Sequence, residues 1–363
     1  MAPNPTSFDV SAAGATGLTI RVLVEPPFSG GWLTEENVPW ITITSGINGS
    51  FDGYIVFDVA PNADAARTGI FTVVGRNNRV DITVTQGGAG DDEPITADFD
   101  GDGRTDLGFF RAASGEWFLR NSRTGEVTTA IWGGAAGDRA VPADYDGDGR
   151  ADLAFFREAD GYWYILGSRA GPRYEFWPAG AGAVLTPADY DGDRRCDVAF
   201  FRPSDGFWYI LPTATRVPRY EAWGGFGDVP AAADFDGDGQ ADVAFFRPAD
   251  AYWYILPSRS RIPTYRYWGG SASDRPAAAD YDGDGAADTA FERPIDGYWY
   301  VWSSSQSVAY IDWRVPAAGT LARGDFDGDG RADFGFFNPS DGFWYLLVNR
   351  ARTAVYIAGT WRF

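Results

Sequence analysis

The chain has 363 residues, a formal charge of −20 and 45% hydrophobic residues. That is enough apolar material for a sizeable core, and too much acid for a phosphate-binding surface, so disorder and nucleic-acid binding are both disfavoured. All 30 basic residues are arginine, there is no histidine, and Cys196 is the only cysteine, which removes histidine-based acid–base pairs, the commonest zinc ligand and any intrachain disulfide.

The chain opens on Met1-Ala2-Pro3-Asn4-Pro5, with no basic stretch leading into an apolar one, so no secretion signal is expected in it. No run long and apolar enough for a membrane-spanning helix follows. Over residues 1–90, strands are predicted at 17–24, 40–44, 53–60, 69–74 and 80–86, separated by turn clusters such as Ser45-Gly46-Ile47-Asn48-Gly49. Strict alternation in Val80-Asp81-Ile82-Thr83-Val84-Thr85 marks a half-exposed strand, and the whole reads as a small antiparallel, immunoglobulin-like β-sandwich. Residues 87–92, Gly-Gly-Ala-Gly-Asp-Asp, read as a flexible linker. The segments Trp40-Ile41-Thr42-Ile43-Thr44-Ser45-Gly46, Asn62 with Arg67-Thr68-Gly69, and Val84-Thr85-Gln86 resemble the BACON domain, a bacterial module found beside carbohydrate-active and adhesion proteins. The resemblance implies either carbohydrate binding or a spacer role. Its motif residues are expected to be structural, with Trp40 in the core.

From residue 91 to 363 the chain repeats itself. Asp98-Phe99-Asp100-Gly101-Asp102-Gly103-Arg104-Thr105-Asp106 recurs from Asp144, Asp189, Asp234, Asp280 and Asp325, at intervals of 45 or 46 residues. A tryptophan follows each first Asp by 19 positions, at Trp117, Trp163, Trp208, Trp253, Trp299 and Trp344. A second lies further on at Trp132, Trp177, Trp223, Trp268 and Trp313, with Trp361 displaced. Each copy reads as four short strands; in the second they fall at 140–145, 152–157, 162–166 and 173–177. These stretches are apolar on both faces and bounded by Asp-Gly turns, with no helical period. Four strands per repeat of this length is the spacing of a propeller blade, whose two faces pack against neighbouring blades. The predicted fold is therefore all-β, a six-bladed β-propeller behind the sandwich. Its first strand is expected at 94–99 and its last at 354–361, so every blade is contiguous in sequence and the first closes on the sixth by packing alone. The sandwich is expected to lie outside the ring.

The acidic loop places carboxylates at positions one, three, five and nine, with glycine at four and six. Oxygen donors on alternating residues of a flexible turn suit Ca²⁺, which takes six to eight oxygens. Six ions are expected. Their side-chain ligands would be Asp98, Asp100, Asp102 and Asp106; Asp144, Asp146, Asp148 and Asp152; Asp189, Asp191, Asp193 and Asp197; Asp234, Asp236, Asp238 and Asp242; Asp280, Asp282, Asp284 and Asp288; and Asp325, Asp327, Asp329 and Asp333. The backbone carbonyl at position seven would add a donor at Arg104, Arg150, Arg195, Gln240, Ala286 and Arg331. These loops hold nearly half of the 50 acidic residues, so much of the acidity is metal-site acidity. An EF-hand is rejected, because its position-twelve glutamate is replaced by Phe109 and Phe155 inside strands. The third copy has Arg194 where position six needs a left-handed residue, and Cys196 at position eight, so its site is expected to be the weakest.

Asp144 to Arg157 and its five counterparts, each followed by Asp-Gly-(Tyr/Phe)-Trp-Tyr or a close variant, resemble FG-GAP/VCBS-type repeats of integrin-α-like propellers and exported bacterial proteins. The resemblance implies a calcium-stiffened propeller, secreted or at the cell surface, that binds a glycan or an extracellular protein. No enzyme is expected: no His-based triad exists, Cys196 sits in a metal loop, and no unique acidic pair stands apart from the repeat. The expected function is a binding or adhesion module, first for carbohydrate; protein adhesion, a scaffold role and, last, polysaccharide chemistry are the alternatives. Two recurring features are open to two readings. Arg111, Arg157, Arg202, Arg247 and Arg293, with Asp160, Asp205, Asp250, Asp296 and Asp341, form either a ligand ring or a repeated Arg–Asp turn lock. Trp132, Trp223 and Trp268, before Gly-Gly or at the strand end, are either sugar platforms or packing residues; Trp117 and its counterparts are core.

Overall fold

β-Branched and aromatic residues dominate the chain's apolar runs, and every regular element described is a strand. The computed structural model describes residues 2–4, 6–10, 15–23, 31–36, 38–60, 67–75, 78–86, 92–135, 137–271, 273–305, 307–316, 319–339, 342–348 and 353–358. No helix in them is long and apolar enough to cross a membrane. The chain packs as two units, Met1–Asp92 and Glu93–Phe363.

Among the described residues the first unit has nine strands: β1 (Ala2–Asn4), β2 (Ser7–Val10), β3 (Ala15–Leu23), β4 (Trp32–Glu35), β5 (Ile41–Ser45), β6 (Asn48–Gly49), β7 (Gly53–Val59), β8 (Arg67–Gly75) and β9 (Arg79–Gln86). They form sheets ordered β1-β3-β7-β5 and β2-β9-β8-β4-β6. Alternation in β7 sends Ile55, Phe57 and Val59 into the core, where Ile20, Val22 and Ile41 of the same sheet meet Trp32, Phe71, Val73, Ile82 and Val84 of the other. Two expectations are corrected. The sheets are not wholly antiparallel, because β2 pairs parallel with β9. Trp40 is only partly buried: it lies before β5 against Gly69, with the Arg67 guanidinium 4.4 Å above its ring. Trp32 takes the core place instead, donating its indole N–H to the Phe51 carbonyl at 2.9 Å. Asn62 and residues 87–91 of the expected linker lie outside the described residues.

Among the described residues the second unit forms six four-stranded antiparallel sheets, each built from contiguous chain in sequential strand order. The second sheet, for example, contains Asp138–Ala140, Leu153–Arg157, Tyr162–Gly167 and Gly171–Phe176. Its first strand is shorter and earlier than the predicted 140–145. The ladder breaks at Pro142, which has no N–H to give, and resumes as a lone Ala143–Asp152 bridge. The first strand of the unit is Asp92–Ala97 and the last Thr353–Ala358; Trp361 lies outside the described residues. Trp117, Trp163, Trp208, Trp253, Trp299 and Trp344 are all fully buried, as expected. Neighbouring sheets share apolar clusters, and so do the first and the sixth: Phe109 meets Phe337 edge-on at 5.0 Å and Trp344 at 5.5 Å.

Candidate metal centres

Each acidic loop is folded by its own carboxylates. The position-one Asp accepts the N–H groups of positions four and six, as Asp144 does from Gly147 at 2.6 Å and Gly149 at 2.8 Å. That wraps the chain around one carboxylate and forces position six left-handed. The five glycines there have φ of 83–88°, and Arg194 is held at 66° in the third loop. The position-nine Asp accepts the N–H of position two through one oxygen in all six loops. Through the other oxygen it accepts an N–H from the hairpin between the third and fourth strands, from Ser122, Ser168, Thr213, Ser258 and Ser304 at 2.6–2.7 Å. The loop is thereby anchored to its own sheet.

Carboxylate oxygens at positions one, three and nine converge to within 4.8 Å of one another, in Asp98/Asp100/Asp106, Asp144/Asp146/Asp152, Asp189/Asp191/Asp197, Asp234/Asp236/Asp242 and Asp280/Asp282/Asp288. Position five is not part of these triads. Asp148, Asp193, Asp238 and Asp284 each turn one oxygen to the hydroxyl of Ser168, Thr213, Ser258 or Ser304 and the other to the position-seven N–H. A hydroxyl residue stands 24 positions after the first Asp in five of the six copies, with Asn349 there in the sixth, a periodicity not singled out above.

In the loops as they stand, several of the ionised carboxylates are disfavoured. Burial pushes Asp197, Asp242 and Asp288 up to about 6, and raises Asp106 and Asp152 as well. Asp100, Asp236 and Asp327 are raised by desolvation and by the carboxylates beside them. Asp146 Oδ1, Asp282 Oδ1 and Asp329 Oδ2 are buried with no hydrogen-bond partner in the described structure. A carboxylate oxygen that accepts one N–H keeps a lone pair, so each cluster could hold a hard metal ion.

The loops are also linked to one another. The position-eight N–H of each donates to the position-one carbonyl of the loop before it: Ala151 to Asp98, Cys196 to Asp144, Ala241 to Asp189, Ala287 to Asp234 and Ala332 to Asp280, at 2.6–2.7 Å. Thr105 of the first loop donates to Asp325 of the sixth at 2.6 Å, so the chain of bonds returns to its start. The position-seven side chain lies over the position-four glycine of the preceding loop. Arg150 over Gly101, Arg195 over Gly147, Gln240 over Gly192, Arg331 over Gly283 and Arg104 over Gly328 leave 2.9–3.0 Å for a Cβ there. Cys196, at position eight, is buried and its thiol is pushed well up by desolvation.

At the far ends of the second strands the Arg–Asp turn contact is present in three sheets, Arg157 to Asp160 at 4.0 Å, Arg202 to Asp205 at 3.1 Å and Arg247 to Asp250 at 3.9 Å, but it is not the shortest pairing in all of them. Arg157, Arg247 and Arg293 form two-pronged pairs with Asp138, Asp228 and Asp274 at the start of their own sheet, at 2.7–2.9 Å. The turn residues Asp160, Asp250 and Asp296 also accept the hydroxyls of Tyr164, Tyr254 and Tyr300. In the third sheet, where no Asp stands at that place, Arg202 bonds the Ala179 carbonyl and Asp205. Arg111 pairs with Glu116, and Asp341 lies outside the described residues.

The second tryptophans are half-buried wedges between sheets. Trp132 meets Tyr174, Trp177 meets Tyr220, Trp223 meets Tyr265, Trp268 meets Tyr310 and Trp313 meets Tyr356, all at 6.2–6.3 Å. Each of these tyrosines is more than half exposed. The sequence reading singled out the tryptophans and missed their outer partners.

Residues 98–155 match the family model described as FG-GAP-like repeat. No curated protein is similar enough to count as a relative. Among solved structures, the chain is similar to a virginiamycin B lyase from Staphylococcus aureus at 11% identity, over 81% of this chain and 89% of that one, with a TM-score of 0.49. It is similar to an auxiliary nutrient binding protein from Bacteroides thetaiotaomicron at 11% identity, over 98% and 96% of the two chains, with a TM-score of 0.43. A protein of unknown function from the same organism matches at 11% identity, over 99% and 97%, with a TM-score of 0.44.

Proposed function

We propose that residues 93–363 form a closed six-bladed β-propeller of FG-GAP/VCBS type whose acidic loops each hold Ca²⁺, and that it works outside the cytosol as a binding module for carbohydrate. The returning chain of loop-to-loop hydrogen bonds supports the ring, and six contiguous sheets support the blade count. The carboxylates at positions one, three and nine would hold the ion, with position five and the position-seven carbonyl completing the set. Ca²⁺ is favoured over Mg²⁺ because the loop offers many protein oxygens rather than a few around a hydrated ion. The ion would neutralise the clustered carboxylates and so stiffen a loop already tied to its neighbour. The BACON-like sandwich at the N-terminus would serve as a companion module.

The observation that carries the binding reading is the Trp–Tyr pair repeated at five sheet borders, with each Tyr more than half exposed. Aromatic faces with a polar tip suit sugar rings, which present C–H patches beside hydroxyls. Catalysis has less support, because the recurrent carboxylates are engaged in the loops and in arginine pairs. A glycan array read with Ca²⁺ and with EDTA tests the proposal. Retention of glycans that weakens on chelation is expected; no glycan retained under either condition would favour the alternative, a protein-binding adhesion or scaffold module.

A further inference from the structure

The border between the fourth and fifth sheets departs from its sisters at two positions. In the second and third sheets the residue opposite the buried Trp on the outer strand is acidic. Glu175 pairs with Arg173 and Arg216, and Glu221 with Arg219 and Arg261. In the fourth sheet that residue is Arg266. Its Nη1 donates to Thr289 Oγ1 at 3.0 Å and to the Trp302 carbonyl at 3.4 Å, and no described carboxylate lies within ion-pair distance. Nε and Nη2 make no hydrogen bond to the described residues. The acidic residue whose field reaches Arg266 is Asp288 of the fifth loop, which a bound cation would neutralise.

The second departure is Trp302. The other sheets place Leu166, Leu211, Leu256 and Leu347 there, and the first places Arg120. Trp302 meets Trp268 edge-on at 5.4 Å and lies 4.9 Å beneath the Arg266 guanidinium. Trp132, Trp177 and Trp223 donate their indole N–H to a tyrosine carbonyl of the next sheet, whereas Trp268, like Trp313, is buried at Nε1 with no acceptor among the described residues. A cleft of 710 Å³ opens here, lined by residues 264–269 and Trp302. Two indoles, two tyrosines and one arginine without a carboxylate thus meet in a volume suited to one or two sugar rings.

We propose that this cleft is a subsite for an anionic saccharide, a uronate whose ring packs into the corner between the Trp268 and Trp302 indoles, beside the guanidinium that covers Trp302, and whose carboxylate takes the free Nε and Nη2 donors of Arg266. The proposal rests on the carbohydrate-binding reading above and adds the charge of the ligand and its place. A planar guanidinium with two adjacent free N–H groups matches a carboxylate in two-pronged fashion, which a neutral hydroxyl does not.

Calorimetry in Ca²⁺ buffer with trimers of galacturonate, glucuronate and mannuronate, and with their methyl esters, tests it on the full chain. The expected result is tighter binding of at least one acid than of its ester, by on the order of tenfold. Arg266→Gln should abolish that preference. Trp302→Leu, the residue four sister sheets carry, should weaken acid and ester alike by about tenfold, with an unchanged melting temperature showing that the fold is intact. Equal affinity for acid and ester in the native protein, or uronate binding untouched by both variants, would overturn the cleft proposal while leaving carbohydrate binding in place. Absence of binding to every trimer overturns it too, and only an empty glycan array alongside would take the broader reading with it.

Discussion

Arg194 sits at φ 66° because its loop has the same hydrogen bonds as its sisters: the Arg194 N–H reaches the Asp189 carboxylate at 2.7 Å, as the glycines do in theirs. The backbone is set by the carboxylate and the side chain tolerates it. A left-handed non-glycine residue costs about 1 kcal/mol, so Arg194→Gly should raise stability by up to that amount and tighten the third loop's hold on Ca²⁺. Urea titration with calorimetric Ca²⁺ binding checks both, and unchanged stability and affinity would show that position six carries no strain.

The position-nine carboxylates make a second residue-level claim. Burial raises Asp197, Asp242 and Asp288 to about 6, above the ordinary value of 3.8. A carboxyl raised in the folded state favours folding only while it is protonated, so it costs nothing below pH 4 and an increasing amount as pH rises toward 6. Without metal, the melting temperature should therefore fall between pH 4 and pH 6, acting against any other carboxylates. With Ca²⁺ the trend should reverse, since the ion binds the ionised form and releases protons. Melting curves across that window, with EDTA and with Ca²⁺, separate the two cases. Parallel curves would mean that these aspartates are not ligands.

Elements differ in how much of them the residue order reveals. The repeat was legible because six copies keep Asp, Gly and Trp in register, and period-two alternation marked β9. The short strands β1, β2, β4 and β6 were not legible: Ala2–Asn4 contains proline, and Asn48–Gly49 is two residues long inside what reads as a turn. Trp32 and Trp40 cannot be told apart from sequence, since what separates them is that Trp32 lies within the core between the two sheets while Trp40 packs against its edge. The acidic loops were only partly legible. Spacing places four carboxylates in one turn, but it says nothing about the serine and threonine hydroxyls that draw position five aside.

The seam between the first and sixth sheets is the element that no covalent chain crosses. It has the same N–H···O bond as the other borders, from Thr105, and an edge-on contact of its own between Phe109 and Phe337. Thr105→Pro removes the seam bond, and Ala151→Pro removes its counterpart between the first two sheets, where the chain itself also crosses. Each should cost about 1–3 kcal/mol. Native-state hydrogen exchange should nevertheless quicken more in the sheets flanking the seam for Thr105→Pro than in the sheets flanking the Ala151 junction for Ala151→Pro. Equal acceleration would mean that covalent continuity adds nothing to the ring.

At the scale of the whole molecule, the acidity lies where the sheets are tied together. Six loops concentrate the negative charge at consecutive sheets, and each loop is bonded to the one before it. A cation in every loop would relieve the repulsion there, so metal binding, as proposed, would be folding free energy for this unit. Removal of Ca²⁺ by EDTA at pH 7 should lower the melting temperature markedly. The most direct measurement is the metal content of the chain, taken by elemental analysis after dialysis against buffered Ca²⁺. Six calcium ions per chain is the predicted result; two or fewer, with an unaltered melting curve in EDTA, would contradict the account.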